Sequence, residues 1–201
     1  MKKKYYSFIL STMVLININK PVFADEHHHH HHEEISGSKI SNKSIYLLDS
    51  KWKDQNNKSL QLKDFAGKPV IISMLYTSCT KSCPIIMEYI KDFYNSLSKK
   101  EKENVRVLII SIDPEKDTPK VLKTFEKKHK LDKNFFLLSG NKDSVLEIAS
   151  LLGIRYVKTD EDYSHTNKIL VLNKKGEIIH QNEGLTEDLK ETKKYLDKAF
   201  M

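Results

Sequence analysis

From Ile45 onward the chain alternates short apolar runs with segments that are apolar at every third or fourth position. This is the pattern of strands interleaved with amphipathic helices, an α/β domain with a largely parallel sheet. Ile45 to Trp52 and Ser59 to Leu62 flank the polar turn Asp54-Gln55-Asn56-Asn57 and predict an N-terminal β-hairpin. Pro69 to Tyr76 and Val105 to Ile112 are almost unbroken apolar stretches. Strands covered on both faces need such runs. Between them, Ile85, Ile86, Tyr89, Ile90, Phe93 and Leu97 form one stripe of a helix from Pro84 to about Lys99, with Pro84 in the permissive first turn. Thr118-Pro119 opens a further helix running to about Lys130. Phe135 to Leu138 and Lys142 to Leu152, closed by Gly153, supply another strand and helix. Lys168 to Leu172 and Glu177 to Gln181, joined through Asn173-Lys174-Lys175-Gly176, predict a second hairpin, and Thr186 opens a final helix.

Ahead of this domain the pattern changes. Lys2, Lys3 and Lys4 precede the apolar stretch Tyr5 to Ile18, which ends in Pro21-Val22-Phe23-Ala24 with small residues three before and directly before Asp25. The arrangement predicts a signal peptide over 1–24, cleaved after Ala24, and therefore export to the periplasm or the outer face of the inner membrane. The apolar run is shorter than the roughly 20 residues a spanning helix needs, so an uncleaved N-terminal anchor is the second reading and the one route to a membrane. Residues 25–43 are polar and carry His27 to His32, either a native metal-scavenging tract or an expression tag. The domain is expected over 44–201.

Composition sharpens this reading. The 201 residues are 39% hydrophobic and 30% charged with a formal charge of +7, which suits one globular domain and excludes collagen-like and multi-span membrane classes. Loss of residues 1–24 removes four lysines and no acid, leaving +3. The remaining lysines are interleaved with acids, so no nucleic-acid partner is expected. Outside the tract only His129, His165 and His180 remain. His129 lies among lysines and is expected to be solvated, and His180 alternates along a strand with no expected role.

The two cysteines define the candidate chemistry. Thr77-Ser78-Cys79-Thr80-Lys81-Ser82-Cys83-Pro84 lies where a buried strand ends and a helix begins, at the edge of the sheet. Backbone N–H groups and the positive helix end favour thiolate there, and a spacing of four brings both sulfurs to one side of the turn. A static disulfide is the competing reading for a cysteine pair in an exported chain, although so short a loop gains little from cross-linking. Met87, one helical turn beyond Cys83, is expected to fill the core. Asp117 and Thr118 are read as helix-start residues before Pro119, and Asp113 as a loop-shaping residue placed to support the cysteine loop.

Taken together, Cys79-Thr-Lys-Ser-Cys83-Pro84, the run Ser111-Ile-Asp113-Pro-Glu-Lys-Asp117-Thr-Pro119 and Tyr163-Ser164-His165 resemble the SCO/SenC family of copper-binding proteins that assist cytochrome c oxidase assembly. The resemblance implies a thioredoxin-like fold, a central mixed β-sheet flanked by helices. It also implies Cys79, Cys83 and His165 as copper ligands. Thr80 stands where Pro is commoner in the family, and Ser164 where Asp is frequent. Two thiolates and an imidazole form a soft set suited to Cu(I) and able to hold Cu(II). Zinc, which prefers a fourth protein ligand in a closed site, is the second choice. The expected partners are oxidase subunit II or another copper-accepting protein, and a thiol reductant. A thiol–disulfide reductase in which Cys79 attacks and Cys83 resolves is the rival, and a peroxide-consuming relative is a third reading.

Overall fold

The computed structural model describes residues 43–159, 163–183 and 189–201. The stretches read as a signal peptide and a histidine tract, the turn expected at Asp160-Glu161-Asp162 and the helix start expected at Thr186 lie outside these residues.

Two short strands, β1 (Lys51–Asp54) and β2 (Ser59–Gln61), form the expected N-terminal hairpin, with Trp52 facing Leu60. The chain then enters β3 (Val70–Leu75), in which every residue is buried. Helices α1 (Ser82–Ser96) and α2 (Lys99–Asn104) lead to β4 (Arg106–Ser111), and α3 (Pro119–His129) leads to β5 (Phe135–Ser139). Next come α4 (Lys142–Leu151) and a small hairpin of β6 (Tyr156–Lys158) with β7 (Tyr163–His165). The hairpin of β8 (Lys168–Leu172) and β9 (Ile178–Glu183) follows, and α5 (Leu189–Phe200) ends the fold.

The main sheet has seven strands in the order β2-β1-β5-β4-β3-β8-β9. Only β3-β4 and β4-β5 are parallel; the other four pairings are antiparallel. The largely parallel sheet expected from the alternation is thus confined to three central strands. Parallel neighbours require a long crossover, and the chain makes only two helical ones, with one hairpin before them and one after them forming the flanks. This is the mixed sheet that the family resemblance implies. Helix α3 packs on β5 and β1, and α5 on β8 and β9, so the central strands are buried as their apolar runs require. Burying each large aliphatic side chain contributes about 1.5–3 kcal/mol relative to exposure.

Four local expectations are corrected. Ile45 to Leu47 is a 3-10 turn, begun by Ser44 accepting the Tyr46 N–H at 3.1 Å. Ile45 and Tyr46 are both buried, and adjacent strand residues would face opposite ways. On α1 the inward stripe is Cys83, Ile86, Met87, Ile90, Phe93 and Tyr94, which leaves Ile85 outside, 57% exposed. The helix expected to run to about Lys99 ends at Ser96, and Lys99 instead opens the separate α2. Its Ser98 and Glu101 exchange backbone and side-chain bonds in a capping box, a Ser-x-x-Glu signal present in the sequence. The β6-β7 hairpin was also unforeseen, because three-residue strands are too short to show alternation.

Helix α2 is tied to α5 through Glu101, whose carboxylate takes the Lys193 ammonium at 2.7 Å and the Ser98 N–H at 2.7 Å. The Lys193 bond foremost, then Ser98, against a smaller opposing effect of burial, hold its pKa down to about 2 from an ordinary 4.5. A depressed carboxyl stabilises the fold fully above its unfolded pKa and loses that contribution as the pH falls through its folded one. The difference in unfolding free energy between wild type and Glu101→Gln should therefore shrink as the pH is lowered from 4.5 to 2. Urea titrations across that window check it; a pH-independent difference would show that the tie is not ionic.

Candidate metal centre

Strand β3 delivers the cysteine loop. Its last main-chain bond to the neighbouring strand runs from the Ile112 N–H to the Leu75 carbonyl at 3.0 Å, after which the chain leaves the sheet and turns into α1. Pro84 is third in that helix, where its missing N–H costs nothing. Cys83, in the first turn, is 1% exposed, and Cys79 is 8% exposed. The Cys83 N–H donates to Cys79 Sγ at 3.4 Å. Burial pushes the Cys79 thiol up, but donors from the Cys83 side chain and backbone, the Lys81 backbone and the Tyr76 side chain outweigh it, and its pKa lies below the ordinary value. These donors stabilise a thiolate.

The third predicted residue arrives from the other end of the chain. His165 closes β7, paired with Tyr156 of β6, so it stands on a strand and not in the loop its polar neighbours suggested. Its Nε2 lies 3.6 Å from Cys83 Sγ, across 82 residues of sequence. Its Nδ1 lies 3.4 Å from the Thr166 carbonyl. With the proton assigned to Nδ1, that carbonyl accepts it and the Nε2 lone pair faces the sulfur. The Tyr76 ring meets the imidazole edge to face at 6.0 Å and packs on Tyr163 at 5.3 Å, an aromatic wall on one side of the site. A cleft of about 310 Å³ opens onto Cys79 and His165, with Lys81, Ser82 and Thr159 on its rim. Among the described residues no three His, Cys, Asp or Glu side chains form a ready-closed metal cluster. The arrangement is a Cys83–His165 pair with Cys79 held against the Cys83 amide.

The Asp113–Pro119 run has roles that the helix-start reading only half anticipated. Thr118 does cap α3, its hydroxyl accepting the Val121 N–H at 3.4 Å, and Pro119 is the first helical residue. Asp117 is not a cap. Wholly buried, it accepts the Thr77 N–H at 3.1 Å, the Thr77 hydroxyl at 2.5 Å and the Ser111 hydroxyl at 2.6 Å. Burial raises its pKa, opposed by those donors. Asp113 shapes the turn as expected, its carbonyl accepting the Lys116 and Asp117 N–H groups. Its side chain is 2% exposed, lies 3.7 Å from the Lys116 ammonium and faces the Tyr163 hydroxyl.

The remaining candidates are structural. Met87 is fully buried in the core. His129 is not solvated: its side chain is 11% exposed, 4.2 Å from the Phe125 ring and 3.3 Å from a Glu88 oxygen. His180 stacks on Tyr195 at 4.6 Å and reaches the Thr192 hydroxyl at 3.2 Å, joining β9 to α5.

Fold and site together define a thioredoxin-like protein in which a Cys-x-x-x-Cys loop at the end of a central strand is met by a distant histidine. The chain belongs to the SCO1/SenC family, which it matches over residues 43–198. A Stutzerimonas stutzeri protein, provisionally named as copper-binding, is 25% identical over 130 residues, which is 62% of this chain and 63% of that protein's length. The chain thus spans less than two thirds of that relative. Bradyrhizobium japonicum ScoI, solved with copper bound, superposes with a TM-score of 0.63 at 25% identity, covering 75% of this chain and 96% of that one. BsSco, described as a member of the Sco family of cytochrome c oxidase assembly proteins, shares the fold at a TM-score of 0.65 and 24% identity, over 74% of this chain and 90% of its own.

Proposed function

We propose that this chain is an exported copper carrier that binds the metal through Cys79, Cys83 and His165 and delivers it to the binuclear copper site of oxidase subunit II or to another copper-accepting protein. The observation that carries the reading is the 3.6 Å approach of His165 Nε2 to Cys83 Sγ. Nothing in the local sequence forces a residue 82 positions away into that place. The donor set fits a soft ion: two thiolates and one neutral imidazole satisfy three-coordinate Cu(I), and the chain has no third Cys to close a zinc site. The relatives named for copper support the same choice.

Metal binding requires the cysteines as thiolates. A thiol reductant must therefore supply two electrons and two protons wherever the pair has become a disulfide, and both thiol protons leave as the ion binds. The cleft leaves the Cys79–His165 side approachable, so a ligand of the recipient can join the metal before these residues release it. Residues 1–24 direct the chain to the periplasm or the outer face of the inner membrane, where a membrane-bound recipient exposes such a site.

The test is a competitive Cu(I) titration of reduced protein in which His27 to His32 are replaced by serine, because six histidines bind metal by themselves. One tightly bound equivalent is expected, and it should disappear in Cys79→Ser and in Cys83→Ser. A wild-type protein that loses all copper to a weak chelator would refute the reading. The lowered Cys79 pKa favours a second reading, a reductase in which Cys79 attacks a partner disulfide and Cys83 releases the mixed disulfide as the partner leaves reduced. Catalytic reduction of a recipient peptide's disulfide, with glutathione restoring the Cys79–Cys83 thiols, that survives His165→Ala with no copper bound would select it.

A further inference from the structure

We infer that Asp117 is a positioning residue for the cysteine loop, its carboxylate fixing the point at which the chain leaves β3 and hence the placement of Cys79 Sγ. Strands β3 and β4 pair in parallel from Val70↔Arg106 to Leu75↔Ser111, so the sheet is complete before Asp117 is needed. Asp117 acts beyond that last pair. It grips Thr77 by both its N–H and its hydroxyl, at 3.1 and 2.5 Å, two residues before Cys79 and 40 residues away in sequence. Its second oxygen also accepts from Ser111 at the end of β4, so one carboxylate spans the mouth between the two strands.

Capping does not account for this side chain, since Thr118 caps α3. Nor is Asp117 a surface carboxylate that happens to find partners: its exposure is 0%, and a buried carboxylate persists where donors surround it. Its own N–H is held by the Asp113 carbonyl at 2.9 Å, and Asp113 faces the Tyr163 hydroxyl two residues before His165. One short loop therefore reaches both arms of the site. Outer partners of this kind orient ligands, and their loss typically lowers metal affinity by about 10–100-fold.

Two variants of Thr77 test the inference with little risk to folding. Thr77→Val keeps the shape and the N–H but removes the hydroxyl, and Thr77→Ser restores it. The first readout is the equilibrium of the cysteine pair with glutathione, in which the two protein thiols pass two electrons and two protons to glutathione disulfide, giving the protein disulfide and two glutathiones. The second is Cu(I) affinity, which rests on the copper reading above. Thr77→Val is expected to shift the glutathione equilibrium several-fold and lower Cu(I) affinity roughly tenfold, with Thr77→Ser close to wild type in both. Asp117→Ala should move both further in the same direction. A wild type without copper whose glutathione equilibrium moves in Thr77→Val and recovers in Thr77→Ser upholds the positioning role while defeating the carrier reading. Variants that lower the urea midpoint yet keep the wild-type glutathione equilibrium and Cu(I) affinity overturn the inference.

Discussion

Replacing His165 by alanine is expected to lower Cu(I) affinity by more than about a hundredfold, beyond the range seen when only an outer partner is lost. The reasoning begins with coordination. Without the imidazole, two thiolates must hold the ion alone in a cleft whose other lining side chains are tyrosines, hydroxyls and the Lys81 ammonium, none of them a soft donor. The fold should survive, because His165 ends a three-residue strand of the separate β6-β7 hairpin and takes no part in the seven-stranded sheet. Near-wild-type unfolding together with collapsed affinity in the same sample is the expected pair of results. Met87→Leu serves as the control: Met87 is core, so a swap of similar volume should cost less than about 1.5 kcal/mol and leave affinity unchanged. Unaltered affinity in His165→Ala would remove histidine from the ligand set.

A second large effect is expected far from any chemistry. Trp52, the chain's single tryptophan, is 1% exposed on β1, and its indole N–H reaches the Ser50 hydroxyl at 3.1 Å. It lies so close to the turn between β5 and α4 that a Cβ built on Gly140 would come within 2.8 Å of two ring carbons. Trp52→Ala removes the largest side chain of that flank and leaves a cavity that the antiparallel β1-β5 pairing cannot close, so a loss of about 3–5 kcal/mol is expected. Gly140→Ala should destabilise by about 1–3 kcal/mol through overpacking of the same contact. Urea unfolding followed by circular dichroism checks both, since the first removes the fluorophore. A loss below about 1 kcal/mol for Trp52→Ala would mean that the hairpin contributes little to the core. Copper affinity at low denaturant should be unchanged in either variant, because β1 lies at the opposite side of β4 from the cysteine-bearing strand.

Much of this molecule is legible along the chain because the relevant interactions are local. The runs at Val70–Leu75 and Arg106–Ser111 announce buried strands, Thr118-Pro119 announces a helix start, and Asn173 to Gly176 announces a turn whose Gly176 takes a φ of +78°. The cysteine loop was readable for the same reason, since strand, loop and helix are consecutive. His165 was singled out by resemblance, and its polar surroundings suggested a loop where the structure has a strand. Asp117 was misread because a Ser/Thr/Asp cluster before a proline looks like a cap whichever member does the capping. No window of sequence shows that Thr77 and Asp117 meet.

The amino-acid order alone determined most of the strands and helices of the domain and the placement of both cysteines at a strand-to-helix junction, and it is the sole basis for expecting export. Periodicity, capping and spacing act over a few residues, and so they are written locally. Tertiary structure decided that β1 pairs with β5, that antiparallel hairpins flank three parallel strands, that His165 comes to rest beside Cys83, and that a buried aspartate binds Thr77 ahead of the cysteine loop. Those outcomes depend on which faces bury the most apolar surface and which buried polar groups find partners, sums taken over the whole core that no single stretch of sequence contains.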